Sequence, residues 1–328
     1  MELNEHVVRC MGLARVFKDN VGSINSLDFH RKDDLMITAD TDDGIRLYNT
    51  SSGTQQKMVH SKKYGACHIT FTHHANSVLH ASTKGGHALR NLSLHDNRYL
   101  RYFQGHEASV TSLSMSPRSD AFISASEDGQ MRLWDLRANQ CQGFLACPPG
   151  PCCTFDEQGL VFAVAVHSGV IKLFDARNCA AGPFTTFTVP QEINKPATFR
   201  HVRFSLDGKW LAASVEGRLY MLDAFEGHVK ATMHTGMPEG SSAPEPTFSP
   251  DSKFLLSGCE DKAIRIWSTQ NGQEVAAWRG HAGIPTALKW APQKVLVASA
   301  CAVLGMWLPD FEKLGMATNI PPPGHPQR

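Results

Sequence analysis

The chain has 328 residues, of which 42% are hydrophobic and 19% charged, and its formal net charge is +1. This length allows a large buried core without disulfide bonds, and the balanced charge argues against general binding to nucleic acids or membrane surfaces, which requires a basic excess. No apolar run approaches the roughly 20 residues of a membrane-spanning helix, and the nine scattered cysteines favour a reducing compartment.

The first predicted element is an apolar segment at residues 7–17, VVRCMGLARVF, which precedes a repeat that fills most of the remaining chain. Each repeat unit ends in a strand-like stretch such as IRLYN, QMRLWD or IRIWS, with an anchor residue near its end. Seven anchors occur, 40 to 48 residues apart, at Tyr48, Leu92, Trp134, Phe174, Leu222, Trp267 and Trp307. This spacing is typical of units built from four short antiparallel strands.

Each unit has the same internal order of strands and turns. A first strand ends in a turn such as SMSPRSD or RFSLDGK, a small-residue apolar strand such as AFISAS follows, and a second tight turn leads to the anchor strand. We therefore predict an all-β fold, a seven-bladed β-propeller, with blades near residues 24–60, 66–103, 108–145, 151–187, 199–233, 246–279 and 284–310.

The last unit stops soon after Trp307 and lacks an outer strand. Residues 7–17 have no other place in the repeat, so we predict that they form an N-terminal strand that completes the seventh blade and closes the ring. The propeller then covers residues 1–310, and residues 311–328 are rich in proline and are predicted to be a flexible tail.

Three side chains of the third unit, His106, Ser124 and Asp128, are the residue types of a hydrolase triad. Ser124 and Asp128 precede the anchor Trp134 by 10 and 6 residues. Hydroxyl and carboxyl residues stand at the same offsets before Trp267 and Tyr48, as Ser257 and Asp261 and as Thr38 and Asp42. A catalytic triad occurs once in an active site, whereas this pattern recurs, so we interpret it as structural.

The dipeptides GH at 105–106 and WD at 134–135 resemble the signature pair of the WD-repeat family. The resemblance implies a buried quartet in which each side chain is hydrogen-bonded to the next, in the order Asp128, His106, Ser124 and Trp134. Such a network satisfies buried polar groups and fixes the turns of a blade.

The other units keep only part of this quartet. The seventh has His281 and Trp307, but the offsets of the third unit place Val297 and Cys301 at the serine and aspartate positions. Leucine or phenylalanine replaces the tryptophan in units two, four and five, so we expect apolar packing to hold those blades.

Sequence motifs for catalysis or cofactor binding are missing: there is no GxGxxG, GxxxxGK, HExxH, GxSxG or CxxC. Cys147, Cys152 and Cys153 crowd one stretch, but no histidine or cysteine follows at zinc-finger spacing. We therefore expect no enzyme, no cofactor and no metal, and we interpret these cysteines as loop or core thiols.

The loop SKKYG departs from the repeat, because Tyr64 takes the place of the histidine and Lys62 and Lys63 precede it. The alternation of loops puts Lys84 and His87 on the same face. Clustered lysine and tyrosine suit an acidic or phosphorylated peptide, although an ordinary solvated turn is the simpler interpretation.

Several of these departures resemble one WD-repeat family closely, from about residue 2 to residue 310. SKKYG (61–65), SLHDN (93–97) and the closing WLP (307–309) are similar to the WD subunit shared by COMPASS-type histone H3 lysine-4 methyltransferase complexes and by nuclear phosphatase/polyadenylation complexes. The resemblance implies a nuclear, non-catalytic adaptor that helps to hold a SET-domain methyltransferase with other COMPASS subunits. It also implies links to the phosphorylated tail of RNA polymerase II and to a scaffold that targets protein phosphatase one, in transcription termination.

Candidate partner-binding residues follow from the departures. Lys62, Lys63, Tyr64 and Lys84 are assigned to one face of the propeller. A second group follows the anchor strand of unit two and is expected at the opposite face and rim: Asp96, Asn97, Arg98 and Arg101.

Two other binding roles compete with this interpretation. Trp134, Asp135 and Arg137 form a WDxR ending, echoed by FDAR at 174–177, which resembles the box that joins substrate receptors to cullin-based ubiquitin ligases. The motif is short and common in WD proteins, so we keep this role as the alternative. A general scaffold in cytoplasmic traffic gains no support from the loops.

Overall fold

The computed structural model describes residues 2–190, 198–215, 217–238 and 244–315. The first elements are a short helix, α1 (Glu5–Arg9), and a strand, β1 (Met11–Phe17). Within the described ranges the strands form seven antiparallel sheets of four strands each, which confirms the predicted seven-bladed β-propeller. The other helical segment is a 3-10 turn at Cys179–Ala181, and neither helix of the described chain has the length and apolarity to cross a membrane.

The first three blades follow in chain order, each running from an inner strand to an outer strand. Blade 1 contains β2 (Ile24–Phe29), β3 (Leu35–Asp40), β4 (Gly44–Asn49) and β5 (Thr54–His60). Blade 2 contains β6 (Cys67–Phe71), β7 (Ser77–Ala81), β8 (Leu89–Ser93) and β9 (Arg98–Phe103). Blade 3 contains β10 (Val110–Met115), β11 (Ala121–Ser126), β12 (Gln130–Asp135) and β13 (Gly143–Ala146).

The remaining blades repeat this order. Blade 4 contains β14 (Cys152–Phe155), β15 (Val161–Val166), β16 (Val170–Asp175) and β17 (Thr185–Thr188). Blade 5 contains β18 (Phe199–Phe204), β19 (Trp210–Val215), β20 (Arg218–Asp223) and β21 (Val229–His234). Blade 6 contains β22 (Thr247–Phe248), β23 (Phe254–Gly258), β24 (Ile264–Ser268) and β25 (Glu274–Trp278). Blade 7 contains β26 (Ala287–Trp290), β27 (Val297–Ala300), β28 (Leu304–Pro309) and, as its outer strand, β1.

The ring is closed by the pairing of β1 with β28. The two strands are antiparallel, from Met11 opposite Pro309 to Phe17 opposite Leu304, with an irregularity between Leu13 and Arg15. The N-terminal strand predicted from the repeat is therefore confirmed as the closing element, and it leaves no unfilled place in blade 7.

The structure corrects the beginning of that strand, because residues 7–9, predicted to be extended, belong to α1. Asn4 caps the helix: its side-chain oxygen accepts a hydrogen bond of 2.9 Å from the Val7 N–H. On the other side, Trp278 Nε1 donates to the Val8 carbonyl oxygen at 2.9 Å. The helix thus anchors the closing strand to blade 6 as well as to blade 7.

The hydrophobic core consists of seven clusters in the described residues, and each cluster lies between two neighbouring blades. The cluster between blades 2 and 3, for example, contains Leu79, Phe103, Phe122 and Trp134. Since each blade contributes one face to the cluster on either side, its packing depends on both neighbours.

The inner strands surround a central channel with a volume of about 690 Å³. Three ion pairs lie along it: Arg203 with Glu245, Lys289 with Asp28 at 2.8 Å, and Arg31 with Glu157 at 3.0 Å. The last pair joins a turn of blade 1 to a turn of blade 4 and therefore crosses the channel mouth.

The first five residues of the predicted tail have a defined structure. Residues 311–315 form a turn in which the Leu314 N–H donates to the Asp310 carbonyl oxygen at 3.0 Å. Leu314 packs on the cluster between blades 6 and 7. The rest of the predicted tail, residues 316–328, lies outside the described residues.

Candidate partner-binding surface

The structure of blade 3 contains the quartet that the WD-repeat resemblance implies. Trp134 Nε1 donates to Ser124 Oγ at 2.8 Å, Ser124 Oγ lies 2.8 Å from His106 Nε2, and His106 Nδ1 lies 2.8 Å from Asp128 Oδ2. Asp128 also accepts the N–H of Glu107 at 3.0 Å. Because the Ser124 hydroxyl is fully buried between an indole and an imidazole, it cannot reach a substrate carbonyl. The quartet holds two turns of the blade together.

Blade 7 contains the same kind of network, at a different offset from the one that we expected. Trp307 Nε1 donates to Ser299 Oγ at 2.7 Å, and that oxygen lies 2.6 Å from His281 Nε2. Ser299, and not Val297, therefore occupies the serine position, whereas Cys301 does take the aspartate position, with its sulfur 3.4 Å from His281 Nδ1.

The physical reason for this correction is the length of the hairpin. In blade 3, Ser124 pairs with Arg132 across the sheet, eight residues later, whereas in blade 7 Ser299 pairs with Gly305, six residues later. Counting back from the tryptophan with the offset of blade 3 therefore overshoots by two residues and reaches a fully buried valine.

Blade 1 uses a different buried network at the same place. Thr38 stands opposite Arg46 in the register, as Ser124 stands opposite Arg132, but Asp42 is exposed and Asp40 is the buried acid. Asp40 pairs with Arg46, whose guanidinium also donates to the Asn20 side-chain oxygen at 2.7 Å. The shared offset before Tyr48 thus marks the strand register without producing the quartet.

Blade 6 also lacks the quartet among its described residues. Ser257 Oγ donates to the Gly258 carbonyl oxygen at 3.2 Å. Asp261 instead pairs with two arginines, Arg265 at 2.9 Å and Arg279 at 3.2 Å. These contacts lie near the surface, so this blade depends on packing for its stability.

The loop between β5 and β6 contains Lys62, Lys63 and Tyr64 and lies beside the loop that contains Lys84. The Tyr64 carbonyl oxygen accepts the N–H groups of Thr83 and Lys84, both at 2.9 Å, so the loops of residues 61–66 and 82–88 are adjacent at one end of blade 2. Lys62 and Lys63 are exposed. Lys84 is neutralised by Asp43, with a distance of 2.6 Å between Nζ and Oδ2.

The ring of Tyr64 lies on the guanidinium of Arg90, with 3.3 Å between the guanidinium carbon and the ring centroid. Two further rings surround the same guanidinium, those of Tyr102 at 4.9 Å and Tyr99 at 5.4 Å. A hydrogen bond from Lys63 lowers the pKa of Tyr64 below its usual range. We call Lys62, Lys63, Tyr64, Arg90 and Tyr102 the lysine–tyrosine patch.

Tyr64 does not take the position of a quartet histidine, contrary to our expectation. Its ring is only half-buried and packs on Arg90. The serine position is occupied by His80, which pairs with Arg90 across the sheet as Ser124 pairs with Arg132. A buried histidine at that point replaces the hydroxyl that the quartet requires.

The second predicted group lies at the other end of blade 2 and at its rim. Asp96 and Asn97 belong to the turn between β8 and β9, and Arg98 is the first residue of β9. Beside this turn, Lys57 Nζ donates to the His95 carbonyl oxygen at 2.9 Å. Arg101 lies on the outer strand β9 and donates to the Asn139 side-chain oxygen of blade 3 at 2.6 Å. These residues form a surface separate from the lysine–tyrosine patch.

The WDxR ending is only partly available to a partner. Trp134 is fully buried in the quartet. Asp135 and Arg137 bind each other, with 2.7 Å between Oδ2 and Nη2, and the Arg137 side chain is 76% exposed. A ligase adaptor would meet one arginine already paired with its own aspartate.

The cysteines of the described chain form no disulfide and belong to no group with the side chains needed to hold a metal. Burial raises the pKa of the Cys152 thiol far above its usual range and that of Cys153 to about 12. Both residues lie on the inner strand of blade 4.

The sequence analysis missed the buried Arg90 and two of the tyrosines around it, Tyr99 and Tyr102. A signal was present, because an arginine recurs two residues before the anchor in four units, as Arg46, Arg90, Arg132 and Arg265. In blade 1 this arginine is buried with an acid, and in blade 2 it lies among tyrosines. The pattern thus marks a position whose neighbours vary with the blade.

Comparison with known proteins places the repeats in a described class. The family described as WD domain, G-beta repeat matches residues 12–49, 97–135 and 242–268. Those stretches contain the anchor strands of blades 1, 3 and 6 and the outer strand of blade 2.

Three relatives are similar over most of the chain. Protein ANTHESIS POMOTING FACTOR 1 of Arabidopsis thaliana is 42% identical over 314 residues, which cover 94% of this chain and 94% of the relative. WD repeat-containing protein 82 of Drosophila melanogaster is 42% identical over 316 residues, or 95% of this chain and 99% of the relative. Set1 complex component swd2 of Schizosaccharomyces pombe is 39% identical over 259 residues, or 75% of this chain and 71% of the relative.

Proposed function

The chain belongs to the family of WD-repeat proteins that includes WD repeat-containing protein 82 and Set1 complex component swd2, and we propose that it is a non-catalytic adaptor subunit of a COMPASS-type complex that methylates lysine 4 of histone H3. The observation that carries this proposal is a sequence identity of 39% to a protein named as a Set1 complex component, over 75% of the chain. The propeller supports it, because its two loop faces offer surfaces for partners.

The proposed partners are the SET-domain methyltransferase, other COMPASS subunits, the phosphorylated tail of RNA polymerase II and a scaffold that targets protein phosphatase one. The proposed location is the nucleus. Through the phosphatase scaffold, the same adaptor would serve transcription termination.

The lysine–tyrosine patch is the proposed site for an acidic or phosphorylated segment. Lys62 and Lys63 are exposed, Lys63 Nζ lies 5.1 Å from the centroid of the Tyr64 ring, and the Arg90 guanidinium packs on the same ring. Asp43, the acid that this loop contacts, is already paired with Lys84. Positive charge and exposed aromatic surface therefore occur together, a combination that suits phosphate recognition.

The opposite end of blade 2 is proposed as a second partner surface, formed by Asp96, Asn97, Arg98 and Arg101. Its separation from the lysine–tyrosine patch would allow two partners to bind at once. The role of ubiquitin-ligase receptor is not favoured, because Trp134 of the WDxR ending is buried.

Affinity purification of the tagged chain from nuclear extract, followed by mass spectrometry, tests the proposed function. We expect a SET-domain methyltransferase and its associated subunits in the eluate. Recovery of a cullin-ligase adaptor without any methyltransferase subunit would contradict the proposal.

A charge-reversed variant tests the proposed site. Lys62→Glu with Lys63→Glu should weaken binding of a doubly phosphorylated polymerase-tail peptide by up to about 30-fold, since two exposed charges that contribute up to about 1 kcal/mol each are lost. Fluorescence anisotropy with a labelled peptide measures the affinity. The control is Lys209→Glu with Lys230→Glu in blade 5, which makes the same change in charge and should leave binding intact. Equal affinity of both variants would remove the site assignment.

A further inference from the structure

We propose that Cys301 is a covalent modification site, at which hydrogen peroxide or an alkylating agent reacts selectively with one thiol among the nine of the chain. The site is built by the polar network of blade 7, and it is independent of the proposed adaptor function. Cys301 lies directly after β27, and its carbonyl oxygen accepts the Ile24 N–H of blade 1 at 2.8 Å. It therefore stands at the junction where the ring closes.

The network directs a proton at the Cys301 sulfur. Ser299 Oγ accepts the indole proton of Trp307 at 2.7 Å, which leaves its own proton for His281 Nε2, 2.6 Å away. His281 then carries its proton on Nδ1, 3.4 Å from Cys301 Sγ. An N–H that points at the sulfur stabilises the thiolate, which is the reactive form of a cysteine.

Blade 3 shows independently that this position suits an anion. There the same imidazole nitrogen, Nδ1 of His106, meets the carboxylate of Asp128 at 2.8 Å. Cys301 replaces that carboxylate in an otherwise matching chain of contacts from tryptophan through serine to histidine. A thiolate supplies the negative charge that the carboxylate supplies in blade 3.

The ionisation of Cys301 agrees with this geometry. Burial acts to raise the pKa of the thiol, but the hydrogen bond from His281 and the backbone groups of Val303 and Gly283 outweigh it and lower the pKa to about 7. Burial raises the pKa of Cys67, Cys153 and Cys259 to about 12. Of these four thiols, Cys301 is therefore the one with a substantial thiolate fraction at neutral pH.

The residue that faces the Cys301 sulfur is a glycine, Gly283. Cys301 as a whole is only 7% exposed. A Cβ atom placed on Gly283 would lie 3.8 Å from the sulfur, so the residue that faces the thiol has no side chain to cover it. The neighbouring Ala302 is exposed. We therefore expect peroxide and small reagents to reach the sulfur from the side of Gly283.

The chemistry with peroxide balances without a cofactor. The thiolate sulfur attacks one oxygen of hydrogen peroxide, a sulfur–oxygen bond forms and the oxygen–oxygen bond breaks. The departing hydroxide takes a proton from the solvent and leaves as water. Sulfur is oxidised by two electrons, peroxide is reduced by two, and the product is a sulfenic acid at Cys301.

The experiment is a brief treatment of the folded full chain with iodoacetamide from pH 5 to pH 10, followed by peptide mass spectrometry. Cys301 should be alkylated before the other eight cysteines, with a midpoint near pH 7. A second treatment, with dilute hydrogen peroxide and dimedone at pH 7, should place the sulfenic-acid adduct on the same residue.

His281→Gln removes the imidazole and is the decisive variant. The midpoint of alkylation should move from about pH 7 toward pH 9, the ordinary value of a free thiol here. At pH 7 the thiolate fraction then falls roughly 50-fold, and because a more basic thiolate is the better nucleophile, the rate should fall only about fivefold. His106→Gln in blade 3 is the matched control: it breaks an equivalent network, far from any thiolate, and should leave the Cys301 profile unchanged.

Gly283→Val keeps the proposal testable if His281→Gln does not fold. The added side chain should slow alkylation of Cys301 at every pH while its midpoint stays near pH 7. The proposal is overturned if Cys301 reacts no faster than the other cysteines. It is equally overturned if its midpoint lies near pH 9 in the unmodified chain.

Discussion

Asp128 joins two turns of blade 3 through a single carboxylate. Its oxygens accept from the Glu107 and Gln130 N–H groups at 3.0 and 2.9 Å and contact His106 Nδ1 at 2.8 Å. Burial acts to raise its pKa, but these hydrogen bonds outweigh the effect and lower it. The carboxylate is thus ionised at neutral pH, and both of its oxygens have partners within blade 3.

Asp128→Ala should lower the free energy of unfolding by about 1–3 kcal/mol, because His106 is left buried without its partner. Urea denaturation at neutral pH measures the change. An unfolding midpoint equal to that of the unmodified chain would contradict a structural role for the quartet.

Asp40→Ala should be more damaging, because it leaves the charge of Arg46 buried without its partner. Both side chains are almost completely inaccessible, and removal of one member of a buried ion pair costs about 3–5 kcal/mol. The matched control is Asp261→Ala, which removes the partner of an exposed arginine, Arg279, and of a half-buried one, Arg265, and should cost about 0–1 kcal/mol. Equal losses in the two variants would argue against the buried network of blade 1.

His80 should make the fold sensitive to acid. Burial is the main cause that lowers its pKa from 6.5 to about 4, and among the described residues its Nε2 has no hydrogen-bond partner. The unfolded chain therefore binds a proton at His80 between pH 6.5 and 4 that the folded chain excludes. The stability that depends on neutral His80 is complete above pH 6.5 and is lost as the pH falls toward 4, by up to about 1.4 kcal/mol per pH unit.

Urea denaturation of a His80→Leu variant between pH 7.5 and 4.5 checks this dependence. In the variant, the slope of the free energy of unfolding against pH should be smaller by up to about 1.4 kcal/mol per pH unit, which corresponds to one proton. His228→Leu, at a histidine whose side chain is 82% exposed, should keep the original slope. If both variants follow the unmodified chain, His80 does not contribute to the acid sensitivity.

At the level of elements, the order of strands could be predicted from the sequence because each turn and each anchor recurs. The spacing from Tyr48 to Trp307 identified every blade, and the missing outer strand of the last unit pointed to residues 7–17. The length of a hairpin carries no such signal. Ser299 was therefore missed, since only the register shows that its hairpin is two residues shorter.

Contacts between elements were the hardest part to predict. VVRC at residues 7–10 suits a strand as well as a buried helix, and the cap at Asn4 and the bond from Trp278 decide for the helix. The stacking of Tyr64 on Arg90 joins a loop to a strand of the same blade. Such contacts join residues that are far apart in the sequence, so a local sequence pattern does not predict them.

The closing strand is the element whose loss should be most visible. Deletion of residues 2–17 removes β1 and α1, exposes the edge of β28 and uncovers Trp278 and Trp307, so we expect self-association. Size-exclusion chromatography with light scattering measures it, and a peptide of residues 1–17 should restore the monomer. A truncated chain that stays monomeric and melts at the original temperature would contradict the role of β1.

At the scale of the whole molecule, the propeller keeps its hydrophobic packing apart from the two surfaces that we propose for partner binding. Its seven hydrophobic clusters lie between blades, whereas the lysine–tyrosine patch and the turn at residues 95–97 lie at opposite ends of blade 2. The ion pair of Arg31 and Glu157 crosses the channel mouth between blades 1 and 4. Loops at either end can therefore vary without altering the packing between blades.

The pairing of β1 with β28 has a consequence for biosynthesis. The ribosome makes β1 among the first elements and β28 last of the strands, and at roughly 5–20 residues per second the intervening chain takes about 15–60 s to appear. During that interval β1 has no partner strand. Its exposed edge is open to non-native pairing, from which chaperones that bind the nascent chain would protect it. A chain whose translation stalls before Leu304 lacks the strand that pairs with β1, so its propeller cannot close.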